Sequence, residues 1–184
     1  MRAVKIILIT LLALGVAVGC WALFSLHNQL KELQQVQQGE IVPQPPAEPA
    51  LDYVTIYLIK SEPTEFLLVP VQREIGGPAS PTAALQALLN GPLTHEDLFA
   101  SVPHTAKLLN LTVENGLATA NFSREIVTGF NGGSLLESYL VTAIVNTLTE
   151  FDHIQQVQIL VDGQVTESIG GHILVNQPLR RAAN

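Results

Sequence analysis

Between Gly132 and Asp162 the chain carries an amphipathic helix pattern followed at once by a strand pattern. This pair limits the folds open to it more than any other stretch. Leu135, Leu136, Tyr139, Leu140, Ala143, Ile144, Thr147, Leu148 and Phe151 recur at helical spacing. Glu137, Ser138, Thr142, Asn146 and Glu150 are expected to face away from that stripe. Ser134 and Glu137 stand in the S-x-x-E spacing of a capping box, with Gly132-Gly133 breaking the chain just before it. Val157, Ile159 and Val161 then alternate with Gln156, Gln158 and Leu160, and Asp162-Gly163 supplies a turn. A half-buried strand directly after such a helix needs a sheet on which both can pack.

The preceding chain supplies strands. Tyr53–Ile59 alternates around Val54, Ile56 and Leu58 and is rich in β-branched and aromatic residues. Phe66–Arg73 reads as its hairpin partner. Pro70 lies inside it and cannot donate to a ladder, which places this strand at an edge or at a bulge. Ser80-Pro81 opens a helix with Leu85, Leu88 and Leu89 inside, and Gly91-Pro92 closes it. Thr94 and Asp97 are spaced to cap one further short turn. Leu108–Phe122 reads as a second hairpin about Asn115-Gly116, the dipeptide of a two-residue turn with positive φ at both positions. Leu109, Leu111 and Val113 are expected on one face, with Ala118, Ala120 and Phe122 returning on the same face. Ile173 and Val175 fit a short added strand. The expected fold class is therefore α/β (α+β): a small mixed sheet with two main helices on one face, in the order β-β-α-β-β-α-β.

Ahead of this lies a different kind of sequence. Arg2 and Lys5 precede an uncharged apolar run from Ile6 to Leu26, about 20 residues, enough for a helix to cross a bilayer. The two charges predict a cytoplasmic N-terminus and an extracytoplasmic remainder. The run reads as an uncleaved anchor. The alternative is a lipoprotein signal ending at Cys20, since Ala17-Val18-Gly19-Cys20 is similar to a lipobox, although the residues after Cys20 are apolar. Leu26, Leu30, Leu33 and Val36 prolong the helical stripe, and Pro43, Pro45, Pro46 and Pro49 make an extended spacer. The organisation expected is thus a basic terminus at 1–5, a transmembrane helix at 6–26, a stalk and linker at 27–50, a folded domain at 51–180 and a tail at 181–184.

Several stretches of the folded part, taken together and in order, resemble the GerM domain family, named for bacterial sporulation and germination proteins. They are Leu68-Val69-Pro70-Val71, Ala87-Leu88-Leu89-Asn90-Gly91-Pro92, and the run from Val113 through Asn115-Gly116 to Ser123. Ile144 to Phe151, Val157 to Gly163, Gly170-Gly171-His172 and Gln177-Pro178-Leu179 continue the likeness. Val102-Pro103-His104-Thr105 departs from it, lacking the glycine that often follows the Ile-Pro dipeptide there. The resemblance implies an exported, membrane-tethered module of the ring-building type that serves in envelope assemblies. It implies no catalytic residues.

From Asp52 onward six Lys/Arg stand against thirteen Asp/Glu, and no basic patch is visible, which argues against nucleic acid as a partner. The single cysteine excludes an intramolecular disulfide and a cysteine-based zinc site. His27, His95, His104, His153 and His172 show no metal-binding spacing, so no metal and no cofactor are expected. His95-Glu96-Asp97 reads as acids at a helix start, and His172 after two glycines as a turn residue. No catalytic residues emerge, and the chain reads as non-enzymatic. The outward residues of the strands are more telling. Tyr53, Tyr57, Ile59, Leu117 and Leu160 point opposite to the core set. They form an exposed interaction surface unless the C-terminal piece, Gln164–Leu179, covers them. The function expected is a membrane-anchored, extracytoplasmic scaffold or assembly module. Its partners would be the cytoplasmic membrane, other envelope proteins and further copies of itself. A ligand-binding sensor is the alternative. An envelope hydrolase is a third reading, favoured only by a His–acid pair or two carboxylates converging in a cleft.

Overall fold

The structure is a computed structural model that describes Trp21, residues 23–29, Lys31 and residues 52–182. The chain divides into two units, Met1–Glu48 and Pro49–Asn184. In the first, Trp21, residues 23–29 and Lys31 are helical, and Trp21, Leu23, Phe24 and Leu26 are exposed. Among the described residues no helix is long and apolar enough to cross a membrane. Most of the expected span at 6–26, Cys20, and the proline spacer lie outside the described residues.

The second unit opens with a hairpin of β1 (Asp52–Ser61) and β2 (Phe66–Ile75), paired antiparallel from Asp52↔Ile75 to Ser61↔Phe66. Ile59 exchanges backbone hydrogen bonds of 3.0 and 2.8 Å with Phe99 on the side away from β2. Because ladder bonds alternate sides along a strand, Tyr57 also turns its backbone groups away from β2. Pro70, opposite Tyr57, therefore sits where no ladder donor is required. The Tyr57 carbonyl accepts instead from the Ser101 hydroxyl at 2.8 Å.

Helix α1 (Pro81–Asn90) begins and ends as its sequence dictates. The Ser80 hydroxyl accepts from Ala83 N at 3.2 Å, and Gly91, at φ 72°, donates its N–H to Leu88 O at 3.1 Å. Strands β3 (Leu108–Glu114) and β4 (Leu117–Phe122) turn at Asn115 and Gly116, both with positive φ. A short α2 (Glu125–Thr128) and the long α3 (Ser134–Thr149) then carry the chain across to β5 (Gln156–Val161), which runs parallel to β4. Asp162-Gly163 forms a second positive-φ turn into β6 (Gln164–Val165).

The expected element order is present, with α2 and β6 added. The expectation of one sheet is corrected. β1 and β2 form their own two-stranded sheet, and β3-β4-β5-β6 form another. Helix α3 packs on β1, on α1 and on β5, so it is enclosed from several sides. That enclosure also corrects its orientation. Leu135 is 52% exposed, whereas Glu137, Leu140, Val141, Ile144, Val145 and Leu148 are buried. The capping box does not form: Gly133 is the N-cap, without a side-chain bond, and Glu137 reaches elsewhere. In β3 the register shifts between Leu108 and Asn110, and the bulge turns Leu109 to solvent while Leu111 and Val113 stay half-buried. Ile173 and Val175 form no strand. Leu179 makes the added bridge instead, exchanging bonds of 2.9 and 2.8 Å with Val157.

Candidate functional site

The most polar buried point of the domain lies where the first turn of α3 meets the segment after β6. Glu137 is fully buried. Its Oε1 accepts from the backbone N–H groups of Ile169 at 3.0 Å and Gly170 at 2.7 Å. Its Oε2 accepts from His172 N at 2.8 Å and lies 3.0 Å from His172 Nδ1. A desolvated carboxylate is tolerable only with such a full set of donors. Burial alone pushes the Glu137 carboxyl upward, but the N–H groups of Gly170 and His172 and the His172 ring outweigh it. The net result lies below the usual carboxylate range.

Helical spacing brings Glu137 here. It stands three, four and seven residues before Leu140, Val141 and Ile144, on the stripe that is buried. Gly170 is required by proximity: a Cβ there would lie 2.4 Å from Phe130 Cε1 and 3.0 Å from Glu137 Oε2. We expect Gly170→Ala to cost about 1–3 kcal/mol, the range for forced overpacking, as the Phe130 ring gives way. Urea denaturation of the variant checks this, and an unchanged midpoint contradicts the contact.

Two more ion pairs fasten outlying segments. Arg73, itself buried, holds Glu96 through two bonds, Nη1–Oε1 at 3.1 Å and Nη2–Oε2 at 2.9 Å. Glu96 Oε2 also accepts from Leu93 N at 2.7 Å, so the loop after α1 is tied to β2. The Arg73 guanidinium, followed by that backbone donor, holds the Glu96 carboxyl low. The expected helix start at His95-Glu96-Asp97 is a turn, and Glu96 serves this pair. At the C-terminal end Arg181 stacks on the Tyr57 ring, 5.4 Å from its centroid, and bonds both the Tyr57 hydroxyl and Glu150. Tyr57 donates to Glu150 Oε1 at 2.6 Å. Burial first, then Glu150, raises the phenol to about 12.

The five outward residues read from the sequence do not form one surface. Tyr53 is 56% exposed, and Leu117 and Leu160 are half-buried. The exposure expected of Tyr57 and Ile59 is corrected, since both are buried. Glu150 and Arg181 meet Tyr57, and the 99–103 segment lies along Ile59, so the cover comes from outside Gln164–Leu179. Other exposed apolar side chains are spread over the domain, and two of them, Phe66 and Leu135, share one groove. Phe66 and Leu67 stand at the start of β2, with Leu135 and Leu136 in the first turn of α3. Tyr139 joins the two by donating its hydroxyl to Phe66 O. A groove of about 600 Å³ runs between them, lined by Ser61–Phe66, Leu135 and Tyr139.

Chemically, Glu137 and His172 form a His–acid pair, and the His172 side chain is partly exposed. The sequence reading missed the pair because it placed Glu137 on the solvent face. The available signal was an acid on the Leu140, Val141 and Ile144 stripe, with two glycines before a histidine further on. None of the larger cavities found among the described residues is lined by Glu137 or His172. Three of the four bonds to Glu137 come from main-chain amides, which is the chemistry of a clamp on a loop.

A family model described as "Germane: Sporulation and spore germination" matches residues 55–167. No curated protein matches the chain. Among solved structures, the tandem GerMN domains of the sporulation protein GerM from Bacillus subtilis are similar to 77% of this chain at 24% identity and a TM-score of 0.61. The chain spans 50% of that tandem protein. The first GerMN domain of the same protein matches 71% of this chain over 98% of its own length, at 24% identity and a TM-score of 0.57. A candidate lipoprotein from Clostridium perfringens matches 74% of this chain over 93% of its own, at 22% identity and a TM-score of 0.52. At these identities the structural likenesses speak to the fold.

Proposed function

The chain belongs to the Germane family of sporulation and spore germination domains, and from that premise we propose that it is a non-enzymatic assembly module of the bacterial cell envelope. It acts through protein–protein contacts outside the cytoplasm. The observation that carries this reading is the exposure of Phe66 and Leu135 across one groove of a domain whose buried Glu137 and Arg73 are engaged in fastening loops. The run at 6–26 holds the domain to the cytoplasmic membrane as a single-pass anchor. Lipidation at Cys20 is the rival mode of attachment, and the likeness to a candidate lipoprotein from Clostridium perfringens is compatible with it. The net charge of −7 suits protein partners better than nucleic acid.

One specific observation favours a second reading, that of an envelope hydrolase. Glu137 orients His172 through Nδ1 and leaves its Nε2 without a partner among the described residues, as a carboxylate does for a general base. The assembly reading is preferred because the same carboxylate is saturated by main-chain donors that a structural clamp requires.

The test is purification of the tagged full-length protein from the membranes of its own cells after brief crosslinking. We expect it in the membrane fraction with a defined envelope protein in constant ratio. Cys20→Ser should leave its mass and attachment unchanged if the span is the anchor. Recovery as a free protein without a partner overturns the assembly reading.

A further inference from the structure

We infer that the groove between the β1–β2 turn and the first turns of α3 is a docking site for a basic, apolar segment of a partner protein. The inference rests on the assembly reading above and names its surface. The walls are apolar or aromatic: Phe66, Leu135 and Tyr139, with Pro63 at the turn. Phe66 is 44% and Leu135 52% exposed, so the groove presents two large apolar side chains side by side to solvent. The Tyr139–Phe66 bond ties the two walls together, so the groove is preformed and little ordering is needed on binding.

Charge selects the occupant. Glu62 and Glu65 line the groove. Among the described residues, Lys60 pairs with Glu62 at 2.6 Å and also feels Asp97. Two carboxylates on the groove against one neighbouring ammonium leave its rim negative. An anionic lipid surface is repelled by such a rim, so the apolar patch is unsuited to insertion in a membrane rich in acidic headgroups. A second copy joined through a two-fold axis would bring two acidic rims face to face, which disfavours self-association here. A segment that places Leu or Phe in the groove and Lys or Arg beside Glu62 and Glu65 satisfies both the apolar wall and the field.

The experiment uses the full chain in neutral detergent and two labelled synthetic peptides, one amphipathic with Lys and Leu, the other its Glu and Leu counterpart. Fluorescence anisotropy is read against empty micelles. We expect the basic peptide alone to bind, with affinity falling as salt rises. The double variant Glu62→Gln, Glu65→Gln should weaken it about tenfold, equivalent to about 1.4 kcal/mol. Leu135→Lys should abolish binding, and its thermal melt should match wild type because Leu135 is exposed. Equal binding of both peptides, or binding indifferent to these variants, overturns the inference. So does sedimentation showing dimers that Leu135→Lys dissolves, or stronger binding to acidic vesicles than to neutral ones. If the groove fails these tests while the native envelope partner still co-purifies, the assembly reading stands and only its location is wrong.

Discussion

Replacing Glu137 with alanine is expected to destabilise the folded domain by roughly 3–5 kcal/mol, the range for removing one partner from a buried charged network. The side chain is fully buried, and three backbone N–H groups and the His172 ring converge on it. Alanine leaves those donors without an acceptor and opens a cavity beneath α3. For a domain of this size the melting temperature should fall by roughly 10–20 °C. Hydrogen exchange at the Ile169, Gly170 and His172 amides should accelerate ahead of the rest, because their shared acceptor is gone. A loss below about 1 kcal/mol, the net worth of an ordinary hydrogen bond, would contradict the clamp.

The same residue gives stability a pH dependence of defined sign. The folded carboxyl lies below its unfolded value of 4.5, so its contribution is complete above that value. It is lost as pH falls through the folded pKa. Glu96 behaves alike through Arg73. So does Glu150, where burial is outweighed by the Tyr57 and Arg181 bonds. Wild type should lose stability steeply below about pH 4.5, and Glu137→Gln should show a shallower acid limb.

Much of the fold could be read locally. The Ser80 cap, the Pro81 start, the Gly91 stop and the Asn115-Gly116 turn are dictated by residues within a few positions of one another. The strand edge at Pro70 was legible for the same reason. What escaped depends on partners far along the chain. Glu137 meets donors 32 to 35 residues later, and Tyr57 meets Arg181 across 124. Periodicity assigns a helix its apolar stripe but does not reveal that α3 is enclosed by β1, α1 and β5, which rotates Leu135 outward and admits an acid inward. The division into two sheets was hidden likewise, because alternation within a strand does not say which strand it will pair with. The family resemblance was legible because it summed many short stretches, each too weak alone, and the family match over residues 55–167 bears it out.

A domain that works through a surface needs His172 only for the clamp. His172→Asn places an amide nitrogen where Nδ1 stood, keeps the bond to Glu137, and removes Nε2, the atom a general base would use. Leu135→Lys leaves the fold intact but replaces an apolar wall of the groove with a charge that repels a basic partner segment. The deciding measurement is rescue of a deletion strain of the native host by each full-length variant at matched membrane level. We expect full rescue by His172→Asn and none by Leu135→Lys. Rescue by Leu135→Lys with failure of a folded His172→Asn would contradict this and establish His172 as a catalytic base.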